Sequence, residues 1–143
     1  MTYRALNTPN VQAHYDEHTK LIMLTYLDNL PPNGPNLFYE WLYDLADAIE
    51  IGNVHGGIID IRPLTNFPAM TLGSSVKGAK VLNQRIDLSQ LPVAYVVKNL
   101  YQREVAQMFV KMAPQANRRA IIDSLEKGLK FIEDWHKANP HEK

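Results

Sequence analysis

Charged and amide side chains that could bind an anion or act on a ligand lie at the carboxyl ends of two apolar segments, residues 57–62 and 92–97. Open α/β sheets bind ligands beyond the carboxyl ends of their parallel strands. If both segments are such strands, the side chains at their ends share one crevice. This predicted strand-end crevice consists of Asp60, Arg62, Lys98 and Asn99. The alternative is that Asp60 and Arg62 pair with each other or cap loops.

Three hydroxyl side chains, those of Thr71, Ser74 and Ser75, lie at the start of a helix predicted over residues 71–86. The first turn of a helix carries free N–H groups and the positive end of the helix dipole, so it suits an anion. We therefore expect an anion site here, or a phosphate acceptor on one of these hydroxyls.

Motifs that would mark a catalytic or metal centre do not occur. The chain has no cysteine, which excludes disulfides and thiolate sites. It also lacks a nucleophile elbow, a glycine-rich phosphate loop and a zinc-protease motif. His14 and His18 fall on a predicted hairpin rather than on one helix face, and His136 is expected to pack against the core. No catalytic residue, metal or cofactor is predicted, and an unmarked enzyme site at the strand ends remains the weaker alternative.

Charge is balanced over the 143 residues, with fifteen basic and fifteen acidic side chains. Balanced charge gives no electrostatic reason to expect a nucleic acid partner, and self-association meets little repulsion. Lys111, Arg118 and Arg119 are interpreted as a solvated basic cluster. No apolar run approaches the roughly 18 residues of a membrane span, and the first residues do not open a signal peptide, so the expected location is the cytoplasm.

Hydrophobic periodicity predicts the element order β-β-α-β-α-β-α-β-α. Strands alternating with helices indicate an α/β fold, with a mixed, mostly parallel sheet, an antiparallel N-terminal hairpin and helices packed on it. The predicted strands are 11–15, 21–27, 57–62, 92–97 and 119–122. Residues 1–10 are expected to be a loose arm, 11–138 a single domain and 139–143 a polar tail.

The helices are assigned from their apolar positions and their caps. The first runs through 38–49, the third follows the Asn99–Gln102 cap pair, and the last follows the pair Asp123 and Glu126. The predicted inward side chains of the third helix are Tyr101, Val105, Met108, Phe109 and Met112. Those of the last helix are Leu125, Leu129, Ile132 and Trp135. Met108 and Met112 either belong to the core or line a pocket for an apolar ligand, because methionine adapts to irregular shapes.

Tyr39 and Tyr43 form an i, i+4 pair on the flank of the apolar stripe of the first helix. One interpretation is that they lie in the contact of a homodimer, since aromatic residues are enriched at interfaces. The other is that they pack at the boundary of the core, against the loop at 29–35.

The layout resembles the SpoIIAA-like branch of the STAS superfamily. The residues that carry the resemblance are Ile59-Asp60-Ile61-Arg62, Val96-Val97-Lys98 and the closing segment 124–132. The resemblance implies a non-enzymatic regulator that binds a partner kinase or anti-sigma factor and is switched by phosphorylation at a helix start. The usual Asp-Ser-Ser-Gly phrase is absent, and Gly73-Ser74-Ser75-Val76 is the nearest match.

Two functions from different classes follow. The first is a binding or regulatory module acting through contacts with another protein or with itself. The second is a carrier or sensor of a small apolar ligand held between sheet and helices, because the resemblance extends to the topology of the lipid-carrying CRAL-TRIO fold.

Overall fold

The computed structural model describes residues 4–140, over which it forms eight strands and four α-helices. The strands are β1 (Leu6–Asn7), β2 (Val11–Asp16), β3 (Leu21–Tyr26), β4 (Asp28–Asn29), β5 (Gly56–Asp60), β6 (Leu64–Asn66), β7 (Val93–Val96) and β8 (Arg119–Ile122). The helices are α1 (Gly34–Ala48), α2 (Ala69–Arg85), α3 (Leu100–Met112) and α4 (Leu125–Ala138). Residues 141–143 of the predicted tail lie outside the described residues.

The main sheet has six strands in the order β1-β2-β3-β5-β7-β8. β1, β2 and β3 are antiparallel, whereas β3, β5, β7 and β8 are parallel to one another. β5 is central, with Ile58 beside Met23 on one side and Ala94 on the other. Because helices cover both of its faces, this strand is apolar along nearly its whole length. The predicted mixed sheet with an N-terminal antiparallel hairpin is confirmed.

Helices α1, α2 and α3 cover one face of the sheet, and α4 packs on the other. The larger core lies under the three helices and includes Leu24, Leu42 and Tyr95. The smaller core lies under α4 and is formed by Leu21, Ile58, Ala94, Val96 and Ile132. Alternation along each strand therefore sends successive side chains to different cores.

The structure adds three short strands to the predicted order. β1 pairs with β2, and the Trp41 indole Nε1 donates a hydrogen bond of 2.7 Å to the carbonyl oxygen of Arg4. The expectation of a loose arm is therefore wrong for the described residues before β2. β4 and β6 pair as a second sheet inside segments predicted to be loops. α1 begins at Gly34, earlier than predicted, because proline fits the first helical turn.

The buried faces of α3 and α4 differ from the prediction. α3 buries Gln102, Ala106 and Phe109, and leaves Met108 and Met112 each 50% exposed. α4 approaches the sheet through Gly128, where an added Cβ would lie 2.6 Å from Ile122 Cδ1. Centring the contact on Gly128 turns Leu125 and Leu129 outward, each 40% exposed. Burial of Ile132 and Trp135 is confirmed.

The two predicted caps had different outcomes. Asn99 Oδ1 accepts a hydrogen bond of 2.8 Å from the Gln102 amide, which confirms the cap of α3. In α4 the cap is Ser124, whose Oγ accepts from the Lys127 amide at 3.1 Å. Asp123 was predicted instead, but its carboxylate binds the Lys127 Nζ at 2.8 Å.

Candidate functional site

The predicted strand-end crevice is closed by its own hydrogen bonds. Arg62 Nε and Nη2 donate to the two Asp60 carboxylate oxygens at 3.0 and 2.9 Å. The same hydrogen bonding raises the pKa of Arg62 above its ordinary value. Asn99 caps α3, and the Lys98 amide is bonded to Gln102 Oε1 at 2.8 Å. Asp60 and Arg62 thus pair with each other, the simpler of the two interpretations of these residues.

Gln102, taken from the sequence only as a cap residue, links three segments at this edge and is fully buried. Its amide nitrogen donates to the carbonyl oxygens of Arg62 and Leu64 at 2.9 and 3.0 Å. Its side-chain oxygen accepts from the Lys98 amide. A polar residue at a buried helical position was the signal for this role, because burial is tolerated only where each polar atom has a partner.

The same edge carries an exposed apolar surface, the helix-start patch, formed by Met70, Leu100 and Tyr101. Met70 lies in the first turn of α2 and is 75% exposed, and Leu100 opens α3 and is 71% exposed. The Tyr101 hydroxyl accepts a hydrogen bond of 2.6 Å from the Phe67 amide, just before α2. That bond joins the starts of the two helices. The patch was not predicted, because an apolar residue in a first turn also suits burial.

Of the three predicted phosphate-acceptor residues, only Thr71 lies in the first turn of α2, and it is buried. α2 begins at Ala69, which places Ser74 and Ser75 in its second turn, where the amides are already bonded within the helix. Thr71 is fully buried and donates to the Leu30 carbonyl oxygen at 2.9 Å. Ser75 is buried, and only Ser74 keeps partial exposure. These three hydroxyls therefore do not form the predicted anion site at the start of α2.

Tyr39 is buried between α1 and α2, so the prediction that it lies in a contact with another copy is wrong. Its hydroxyl donates to the Ser75 carbonyl oxygen at 2.6 Å, and burial raises its pKa. It packs against Gly78 of α2. Tyr43 is half-buried beneath Arg85, whose guanidinium carbon lies 5.4 Å from the ring centre. Homodimer formation stays a prediction, without Tyr39.

An internal cavity of about 100 Å³ lies between the sheet and helices α1, α2 and α3. Its wall is mainly apolar and includes Leu24, Ile59 and Phe109. Met108 and Met112, predicted to line such a space, face solvent instead. Helix α3 instead borders the cavity through Val105, Ala106 and Phe109. A cavity in the predicted layer is present, but the two methionines are not part of it.

Polar side chains also line the cavity. The lining includes Tyr26, Tyr39, Tyr95, Arg118 and Arg119. Burial raises the pKa of each of the three tyrosines, most strongly for Tyr26 and Tyr39. An apolar cavity with a few polar groups is the usual form of a small-molecule site.

Arg118 and Arg119 are not the solvated cluster that was predicted. Arg118 is only 2% exposed, and its three guanidinium nitrogens donate to Gln115 Oε1, the Leu91 carbonyl oxygen and Asn83 Oδ1. Burial lowers its pKa to about 10. Arg119 donates to the Tyr95 hydroxyl at 2.5 Å and lies over the Phe109 ring. Neither arginine is in an ion pair with a carboxylate of residues 4–140.

His136 is packed, as predicted. Its Nε2 lies 2.6 Å from the His55 carbonyl oxygen, and its ring stacks on His55 with the ring centres 4.2 Å apart. Over residues 4–140 no group of three or more histidine, aspartate or glutamate side chains is placed to hold a metal ion. In the same range no helix has the length and apolar character needed to cross a membrane.

The arrangement of strands and helices defines a STAS-like α/β fold, as the sequence resemblance predicted. Among solved structures, the chain is similar to a crystal structure described as a candidate anti-sigma factor antagonist from Thermotoga maritima. The TM-score is 0.56 and the identity 14%, over 85% of this chain and 92% of that one. At this identity the likeness establishes the fold alone. No family model matches the chain, and no curated protein sequence matches it.

Proposed function

We propose that this chain is a non-enzymatic regulatory module that binds a partner protein through the helix-start patch. The observation that carries the proposal is the exposure of Met70 and Leu100, at 75% and 71%. Large apolar side chains grouped at a surface are typical of protein contacts. The fold neighbour described as an anti-sigma factor antagonist supports a role of this kind.

The chemistry of the strand ends supports binding rather than catalysis. Asp60 and Arg62 neutralise each other through paired hydrogen bonds, and Asn99 is engaged as a helix cap. A general acid or base must reach a substrate proton with a free position. Asn99 instead caps the helix that Leu100 begins, and Asp60 and Arg62 bind each other after β5.

The test compares two charge substitutions. The double variant Met70→Asp, Leu100→Asp places carboxylates in the patch, and Met112→Asp makes the same change at an exposed site at the far end of α3. Both variants should match the wild type in urea unfolding, because the altered side chains are at least 50% exposed. The tagged chain is expressed in its host, crosslinked and analysed by mass spectrometry.

We expect one stoichiometric partner protein on the wild type and on Met112→Asp, and its loss from the patch variant. Retention by the patch variant, or equal loss from Met112→Asp, contradicts the proposed surface. A wild type that carries no protein partner contradicts the proposed function itself.

Regulation by phosphorylation, which the resemblance implies, is proposed for Ser74. Thr71 and Ser75 are buried, whereas Ser74 lines a surface groove between α1 and α2 together with Lys77 and Arg85. A phosphate there would gain from Lys77, one helical turn further along α2. Mass spectrometry of the same host preparation should detect phosphate on Ser74, and phosphate on other residues only would contradict this assignment.

A second candidate function is the carriage or sensing of a small apolar ligand. The internal cavity favours it, because it combines an apolar wall with buried polar groups at about 100 Å³. Binding of a compact apolar molecule there would stabilise the folded chain.

A further inference from the structure

The wall of the internal cavity carries two positive charges and, among the described residues, no negative one. Arg118 and Arg119 both border it, and neither pairs with a carboxylate among the residues that the structure describes. A buried cation without an anionic partner is costly. Arg118 is compensated by three oxygen acceptors that belong to uncharged groups, which satisfy its hydrogen bonds and leave its charge unpaired.

Arg119 has the more available guanidinium. Its Nε donates to the Pro114 carbonyl oxygen at 3.1 Å and its Nη1 to the Tyr95 hydroxyl at 2.5 Å. Its Nη2 makes no hydrogen bond within residues 4–140. The guanidinium therefore keeps donors for a further acceptor, and a carboxylate is the acceptor whose geometry matches it best.

Tyr26 also lines the cavity, but away from Arg119. Across the parallel register Arg119 is level with Ile22 of β3, so Tyr26 lies three strands away and four residues further along. The polar groups beside Arg119 are instead the Tyr95 hydroxyl and the Pro114 carbonyl oxygen.

We propose that this cavity binds a compact apolar monocarboxylate, whose carboxylate accepts hydrogen bonds from Arg119. The proposal rests on the second candidate function above and names the chemistry of its ligand. The hydrocarbon part packs among apolar side chains such as Leu24, Ile59 and Phe109. A cavity of about 150 Å³ accepts benzene, so the present volume of about 100 Å³ suits a short branched chain rather than a lipid tail.

The test compares two probes of nearly equal shape, isovalerate and its neutral amide isovaleramide. Binding is measured by isothermal titration calorimetry and by amide chemical shifts of residues along the cavity. We expect the wild type to bind isovalerate at least about tenfold more tightly than the amide, because a charge-assisted hydrogen bond is stronger than a neutral one. The variant Arg119→Met should lose that preference and still bind isovaleramide.

Two further variants exclude trivial causes. Lys111→Met removes one positive charge from an exposed site on α3 away from the cavity, and it should keep the preference for isovalerate. Tyr26→Phe removes a hydroxyl from a part of the cavity wall distant from Arg119, so it should leave the preference for isovalerate unchanged. Arg119→Met is judged only at temperatures where its amide spectrum remains that of a folded chain.

The possible results distinguish the carboxylate proposal from the second candidate function. If the wild type binds both probes equally, or if Arg119→Met keeps the preference, the carboxylate proposal is wrong and a carrier of neutral ligands remains. If neither probe binds at millimolar concentration, the carboxylate proposal and the second candidate function are both wrong. Neither result bears on the helix-start patch, which lies outside the cavity.

Discussion

The contact between Tyr39 and Gly78 makes a sharp prediction about how α1 and α2 pack. A Cβ built on Gly78 would clash with ring carbons of Tyr39, which is itself buried and fixed by its hydrogen bond to the Ser75 carbonyl oxygen. Gly73 lies on the same helix, and a Cβ there would meet no atom within 4 Å. The substitutions Gly78→Ala and Gly73→Ala therefore make the same chemical change in the same helix, with and without a neighbour.

At each site, the sizes of the opposing free-energy contributions determine whether alanine stabilises or destabilises the fold. Alanine in place of glycine favours a helix interior by about 1 kcal/mol, and at Gly73 nothing opposes that gain. At Gly78 the ring must move, which costs about 1–3 kcal/mol as overpacking, and displacing the tyrosine hydroxyl loses roughly 1 kcal/mol more. We expect Gly73→Ala to raise the free energy of unfolding by about 1 kcal/mol and Gly78→Ala to lower it by about 1–3 kcal/mol.

Urea unfolding monitored by circular dichroism measures both changes. The double variant Tyr39→Leu, Gly78→Ala supplies the control, because with the ring gone the alanine should stabilise the Tyr39→Leu background much as it does at Gly73. If Gly78→Ala and Gly73→Ala stabilise the wild type equally, α1 and α2 do not approach as described and the packing argument fails.

Two other predictions concern buried polar groups. Gln102→Met should lower the free energy of unfolding by about 2–4 kcal/mol, because it leaves three backbone groups without partners, whereas exposed Gln107→Met on the same helix should change it little; equal effects would contradict the role of Gln102. Stability should also fall above pH 10, since the raised pKa values of Tyr26, Tyr39 and Tyr95 mean that the unfolded chain releases these protons first. The lowered pKa of Arg118, about 10, acts in the opposite direction above that pH, because the unfolded chain keeps this proton longer, but it involves one proton against three. Urea titrations from about pH 8 to 11 measure the balance, and stability that rises over this range would contradict it.

The order and direction of the main elements could be predicted from local sequence. Strand-forming runs alternate with amphipathic segments, and parallel crossover connections leave few topologies to consider. The cap of α3 could also be predicted from local sequence, because Asn99 and Gln102 interact across a single turn. The short strands β4 and β6 were not, since each exists only by pairing with a segment far away in the chain.

The chemistry of the interior was decided by tertiary structure. Periodicity identified an apolar stripe on α3, yet Gln102 is buried and Met108 is half exposed, because the carbonyl groups of the β5–α2 connection offer Gln102 its partners. The sequence predicted Arg118 to be a surface cation. It is buried because Leu91 and Asn83, from distant segments, provide hydrogen-bond acceptors for its guanidinium. Sequence patterns report which side chains prefer water, whereas the partners that make burial of a polar group tolerable come from elsewhere in the chain.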